Sequence, residues 1–173
     1  RVERGLPNAL RRCGYTTFSL YPWLGAFMSA RNFQLTAGVQ RFRDIGDLGS
    51  NNLEPDSFFY DEAARIIARE RATGPIFIFT YLAANHFPWT SVYRPDLTPD
   101  WTPPGNTAET DEYIRRQVMT AKDYADFTAR LARAIRLDRR RRGQDQAGVG
   151  GYDGEGTAPS RKPLAARFAG WRD

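Results

Sequence analysis

Apolar positions along the chain fall into alternating helical and strand-like blocks. Leu6 and Leu10 stand four apart with Asn8 and Arg12 turned outward, which predicts a short helix over residues 6–12 closed by Gly14. Residues 15–20 are aromatic and β-branched with partial alternation, a short strand. Residues 21–56 are punctuated by Pro22, Gly25, Gly38, Gly46, Gly49 and Pro55 and read as irregular, with Trp23, Leu24, Phe27, Met28 and Phe33 packing a short helix. Phe59, Ala63, Ile66 and Ile67 then keep a 3.6 period, so a helix is expected over 57–72, capped by Asp56-Ser57 and ended by Thr73-Gly74-Pro75. Residues 76–82 are almost continuously apolar and predict a central parallel strand buried on both faces. After a loop over 83–110, Ile114, Val118, Ala121, Ala125, Leu131, Ala132 and Ile135 define one face of a helix over 111–136, widened by Tyr124, Phe127 and Met119, with Thr128 as its polar member and Thr110 or Asp111 as its cap. The alternation of helices and strands predicts an α/β fold with parallel strands near 15–20 and 76–82.

This pattern stops near residue 138. Arg139, Arg140, Arg141 and Arg142 are followed by a Gly-rich stretch without apolar periodicity, so residues 1–137 read as an α/β domain and 138–173 as a disordered basic tail. From Arg139 onward eight basic residues face four acids, so most of the net charge of +5 belongs to the tail and the domain is nearly neutral. Four arginines on a tail would grip nucleic acid or anionic lipid weakly and with strong salt dependence. No aromatic interleaving accompanies them, and a specific nucleic-acid partner is not expected.

At 173 residues the chain has room for one domain with a real core. A single cysteine, Cys13, excludes an internal disulfide and a cysteine-based zinc site, and reads as a small buried thiol beside the first strand. A single histidine, His86, excludes a metal site built from two imidazoles. The chain opens Arg1-Val2-Glu3-Arg4 without an initiator Met or an apolar leader, and so is expected to begin inside something longer.

Candidate chemistry concentrates in Asn85-His86-Phe87-Pro88, directly after the apolar strand. A histidine there faces the crevice in which α/β folds bind ligands, where imidazole can donate to a sulfate or phosphate oxygen or protonate a leaving alkoxide. The same residue paired with Asp111 or Glu112 would make a general acid–base couple, although no nucleophile with a neighbouring base can be named beside it.

The order Leu6-Pro7-Asn8-Ala9-Leu10, Gly14-Tyr15-Thr16-Thr17, Asn85-His86-Phe87-Pro88 and Asp123-Tyr124-Ala125 resembles the middle of sulfatase-like proteins of the alkaline-phosphatase superfamily. It is most similar to the lipoteichoic acid synthase and phosphoglycerol transferase branch. The resemblance covers roughly residues 5–136 and implies part of a doubly wound sheet. It also implies that His86 contacts the substrate phosphate, with Asn85 shaping its loop. The family's tryptophan and arginine in the loop after the first strand fall near Met28 and one place from Arg31. Arg31 is therefore read first as a surface residue and second as an anion contact.

The resemblance further implies a divalent metal (Mn, Mg, Ca or Zn), a threonine or modified-cysteine nucleophile near the start of the domain, and an aspartate-histidine pair after a later strand. None of these motifs occurs in this sequence: Cys13 lacks the sulfatase pattern after it, and His86 follows Asn85. The expectation is an incomplete sulfatase-like domain, catalytically inactive by itself, cut short or frame-shifted near residues 135–138 and exposing a sheet edge and an apolar helix face. The complete protein would act on a sulfate or phosphate ester, including a lipid head group. It would be membrane-anchored with its catalytic domain outside the cytoplasm, whereas this piece alone would be soluble and cytoplasmic.

Overall fold

The computed structural model describes residues 5–97 and 104–147, with side chains as far as Leu137. In chain order the elements are α1 (Leu6–Arg12), β1 (Thr16–Leu20), a 3-10 turn (Phe27–Ser29), α2 (Ala30–Thr36), β2 (Arg41–Arg43), α3 (Asp56–Glu70), β3 (Ile76–Thr80) and α4 (Ala108–Ala147). Among the described residues the strands form a parallel sheet in the order β2-β1-β3, with Phe18 opposite Arg41 on one side and Ile78 on the other.

The strand expected at the centre of the sheet is not the central one among the described residues. β1 is central, and Thr17, Phe18, Ser19 and Leu20 are all buried. Its polar side chains tolerate this in part because the Thr17 hydroxyl donates to the Gly38 carbonyl at 3.0 Å. β3, the more apolar segment, is the edge strand among the described residues, and Phe79 remains 44% exposed. Apolarity and centrality are separate properties: pairing on both sides, not hydrophobic content, makes β1 the middle strand.

β2 lies inside the stretch expected to be irregular. An Arg-Phe-Arg triplet buries only Phe42, so its single apolar position carries no readable period. Its arginines are nevertheless held in place. Arg41 bonds Glu70 at 2.8 Å with its guanidinium over the Phe18 ring, and Arg43 pairs with Glu62.

One core cluster joins β1 to α3 through Phe18, Leu20, Ile45, Phe59, Ala63 and Ile66. Phe59, Ala63 and Ile66 fall on the face that the 3.6 period predicted. The start of α3 differs from expectation: Pro55 occupies the capping position and Asp56 is fully buried in the first turn. Cys13 is exposed at the end of α1 rather than buried beside β1.

α4 begins three residues earlier than expected. Thr107 caps it, its hydroxyl accepting the Thr110 N–H at 3.2 Å. The helix also continues past Arg136 to Ala147, because arginine is a good helix former and nothing between 137 and 142 breaks a helix. Its buried face agrees with the expected stripe in part: Ile114, Leu131, Ala132 and Ile135 are half-buried, and Met119 and Phe127 beside them turn inward. Val118, Ala121 and Ala125 of that stripe are exposed, whereas the charged Glu112, Arg116 and Asp123 turn inward or half inward. The expectation of a disordered tail from 148 on, and any role for the Arg139 to Arg142 side chains, fall outside the described residues.

Candidate functional site

The C-terminal ends of β1 and β3 carry the candidate site. Beyond β1 the chain runs Tyr21-Pro22-Trp23, and beyond β3 it runs Tyr81 to His86. Strands paired in register send these two extensions out side by side; the Tyr21 and Tyr81 rings lie 5.7 Å apart. Trp23 packs between Tyr21, Phe27, Tyr81 and His86, with the His86 ring edge-on to it at 5.4 Å. Aromatic residues at strand ends are thus the floor on which the histidine rests, a role for Trp23 that sequence patterning did not separate from general loop packing.

His86 is exposed, and its ring stacks on Phe87 at 4.3 Å. Its Nδ1 lies 2.7 Å from the Phe87 carbonyl oxygen. A carbonyl only accepts, so Nδ1 carries the hydrogen of this bond. The backbone N–H of His86 donates to the Ala83 carbonyl at 2.9 Å, and Trp89 Nε1 donates to the Asn85 carbonyl at 3.1 Å. Asn85 is half-buried in the same turn, and the Phe87-Pro88 peptide is cis.

Arg31 stands across the loop after β1 in a compact charge knot. One nitrogen, Nη2, donates to Asp44 at 2.7 Å and to Asp47 at 2.6 Å, and the guanidinium lies 4.8 Å from the Phe42 ring centre. The Gly25 N–H adds a 2.8 Å bond to Asp44. A β-carbon at Gly25 would sit 3.0 Å from that same carboxylate oxygen and 2.9 Å from Arg31 Nε, so a larger residue there would push the ion pair aside. Burial pushes the Asp44 carboxyl up, but the N–H groups of Asp47 and Gly25 together with Arg31 hold it below its ordinary value. Donating to the Asp47 and Asp44 carboxylates pushes the Arg31 guanidinium upward.

The wall behind His86 comes from α4. Arg116, 3% exposed, donates from Nε to Glu112 Oε1 at 2.6 Å, from Nη1 to the His86 carbonyl at 3.0 Å and from Nη2 to the Ser91 carbonyl at 3.1 Å. Glu112, 2% exposed, also accepts the Tyr93 N–H at 2.9 Å and Arg115 at 2.9 Å. Burial would raise its carboxyl, but Arg116, the Tyr93 N–H and Arg115 hold it below its ordinary value. Asp111 is buried and accepts Asn106 Nδ2 at 3.0 Å. Both carboxylates considered as partners for His86 are therefore engaged elsewhere, and the acid–base couple with Asp111 or Glu112 is set aside. Glu112 and Arg116 look like surface residues in the sequence; the one available signal was their i, i+4 spacing with opposite charges.

The described residues do not fit a divalent metal. No group of three or more His, Cys, Asp or Glu side chains among them is arranged to hold one, and the carboxylates nearest the loop after β1, Asp44 and Asp47, are bridged by Arg31.

A loop beyond the carboxyl ends of parallel strands is where open α/β sheets bind ligands. The family model for Sulfatase matches residues 1–142, and the chain belongs to that family. Its fold is similar to the crystal structure of the lipoteichoic acid synthase LtaP from Listeria monocytogenes, with a TM-score of 0.65 at 18% identity. That match covers 73% of this chain and 32% of the solved one. A protein in the alkaline phosphatase superfamily from Vibrio parahaemolyticus aligns with a TM-score of 0.56 at 18% identity, covering 76% of this chain and 31% of that one. The chain therefore spans about a third of the length of these solved structures. No curated protein matches it.

Proposed function

We propose that this chain forms the substrate-anion side of a sulfatase-family hydrolase or transferase acting on sulfate or phosphate esters, with His86 meeting the anionic oxygens. The observation that carries this reading is the Nδ1 bond to the Phe87 carbonyl. It leaves the second ring nitrogen, Nε2, available for a ligand: an acceptor in the neutral ring, a donor in the imidazolium. Such a group can hold an ester oxygen or pass a proton to a leaving alkoxide.

Arg31 would be the second anion contact. Its Nη2 serves both carboxylates, which leaves further N–H donors on the guanidinium. Asn85 shapes the turn that presents His86.

The nucleophile and a divalent metal would be supplied by other parts of a longer protein, so this chain alone is expected to bind anions without turning esters over. The likeness to a lipoteichoic acid synthase favours a phosphoglycerol or phosphoethanolamine lipid head group and an extracytoplasmic, membrane-anchored setting. Among the described residues no helix is long and apolar enough to cross a membrane.

The single histidine makes the test direct, because the full chain gives one set of imidazole signals in nitrogen-edited NMR. Titration with inorganic sulfate and orthophosphate should move that set saturably. The same anions should raise the melting temperature of the wild-type chain and not that of His86→Ala. A ring indifferent to both anions in a folded chain overturns the reading.

A further inference from the structure

We propose that Arg116 is a positioning residue that sets the orientation and tautomer of His86 by fastening its loop to one turn of α4. The proposal deepens the reading of His86 as an anion contact and rests on it only for the ligand-binding part of the test.

The residues after β3 have no ladder to hold them. From Tyr81 to Leu97 the chain carries no regular secondary structure, so its orientation depends on side-chain ties. Three of those ties converge on a single helical turn. Arg116 takes the carbonyls of His86 and Ser91, and Glu112 takes the N–H of Tyr93. The Tyr93 ring lies 5.2 Å from the Arg116 guanidinium carbon, and its hydroxyl donates to the Leu53 carbonyl at 2.8 Å, bringing the far end of the loop under the same strut.

The strut uses the shape of arginine and not only its charge. Three different nitrogens of one planar group reach three acceptors: Nε to Glu112, Nη1 to residue 86 and Nη2 to residue 91. A lysine ammonium would keep the pair with Glu112 but cannot span two carbonyls five residues apart in that plane. Burial strengthens the argument, because a surface ion pair would be free to re-form with water and would not fix a loop.

The connection to chemistry is short. The carbonyl that Arg116 holds belongs to His86 itself, and the next carbonyl along the chain, that of Phe87, accepts the Nδ1 hydrogen. Fixing the first peptide fixes the position of the second, and with it which ring nitrogen is left for a ligand. Releasing Arg116 lets the peptide rotate and frees the ring to place its hydrogen on Nε2 instead.

The test compares wild type with Arg116→Lys in the full chain, by ring-nitrogen NMR of His86 and by orthophosphate titration. In the wild type at a pH where the ring is neutral, the Nδ1–H form is expected. In Arg116→Lys the ring signals should shift toward the Nε2–H form, and at a pH where the ring is an imidazolium and Nε2 donates, the phosphate dissociation constant should rise about tenfold or more, the scale on which misplaced contacts fail. The near-ultraviolet circular dichroism of the core should stay unchanged.

A folded Arg116→Lys whose ring signals match wild type overturns the proposal. If phosphate fails to perturb the wild-type ring, the anion-contact reading falls, while the ring comparison still decides the positioning role. Should Arg116→Lys not fold, Glu112→Gln, which keeps an acceptor for Tyr93 and withdraws the charge, takes its place. A ring shift in the same direction then supports the proposal, and an unchanged ring overturns it.

Discussion

The Asp123 carboxylate accepts the Ser57 backbone N–H at 2.9 Å, so a residue midway along α4 caps the start of α3 from 66 positions away. A first-turn N–H without an acceptor is a recurrent cost at helix starts, and here Pro55 in the capping position has no side chain to offer. Asp123→Ala is therefore expected to lower stability by about 1–2 kcal/mol, the usual scale for a lost cap. Asp123→Asn, which keeps an oxygen acceptor, should recover most of it. Urea unfolding compares both with Asp126→Ala, an exposed acid of the same helix. Equal losses for Asp123→Ala and Asp126→Ala would remove the capping argument.

Asp56, one residue earlier, behaves oppositely. It is wholly buried, and neither oxygen has a partner at good hydrogen-bond geometry. Burial pushes its carboxyl from 3.8 up to about 6, helped by nearby Asp123 and partly opposed by the Thr120 hydroxyl and the Ala84 N–H. A raised carboxyl binds its proton more tightly in the folded state than in the unfolded one. Its contribution is thus fully present below pH 4 and is lost as pH rises through 6. At 1.36 kcal/mol per pH unit, the shift corresponds to roughly 3 kcal/mol. Asp56→Asn should flatten the fall in stability between about pH 4 and pH 7, and its gain over wild type should be largest at neutral pH. Chemical denaturation across that range checks both, and an unchanged pH slope in the variant rules the account out.

How much of this was legible differs by element. The α/β class, β1, α3 and β3 follow from periodicity because their apolar residues make the contacts that define them, Phe59, Ala63 and Ile66 most clearly, whereas α1 stands where its leucines predicted although Leu6 is 61% exposed and Asn8, expected outward, is half-buried. β2 was not legible, since Arg41 and Arg43 are fixed by acids on α3 that no local pattern reveals. Edge and centre were misread because strand order is a long-range property, and the run from Ile76 to Thr80 is equally apolar in either place. At the site, His86 stood out by chemistry and by its place after a strand. Its supports did not: Trp23 is one aromatic among many, and Arg116 resembles any helical arginine until the loop folds over it.

Two positions on the apolar stripe of α4 give a direct comparison. Phe127 stacks on Tyr60 of α3 with ring centres 4.7 Å apart and planes within 10°. Val118, which belongs to the apolar stripe seen in the sequence, is 47% exposed. Phe127→Ala should cost about 3 kcal/mol, as losses of packed aromatics do, while Val118→Ala should change stability by less than about 0.5 kcal/mol. Thermal unfolding of the two variants checks which edge of the apolar stripe is packed, and the reverse order of losses would turn Val118 inward and Phe127 out.

Arg31 separates a structural role from a ligand role. Its bonds to Asp44 and Asp47 close the loop after β1, and Asp44 is held below its ordinary value by N–H donors together with this guanidinium. A lowered carboxyl adds stability above its unfolded value and loses that contribution as pH falls through its folded one. Arg31→Gln should therefore cost about 1 kcal/mol at neutral pH, a modest sum because the arginine is partly exposed, and less in acid. If the knot is the whole role of Arg31, the orthophosphate affinity read at His86 stays at the wild-type value. If the remaining guanidinium donors also face the ligand, affinity falls by more than the stability loss explains, and it falls at pH values where the fold is unaffected. Measuring both quantities on one variant distinguishes an arginine that closes a loop from one that also holds an ester's oxygens.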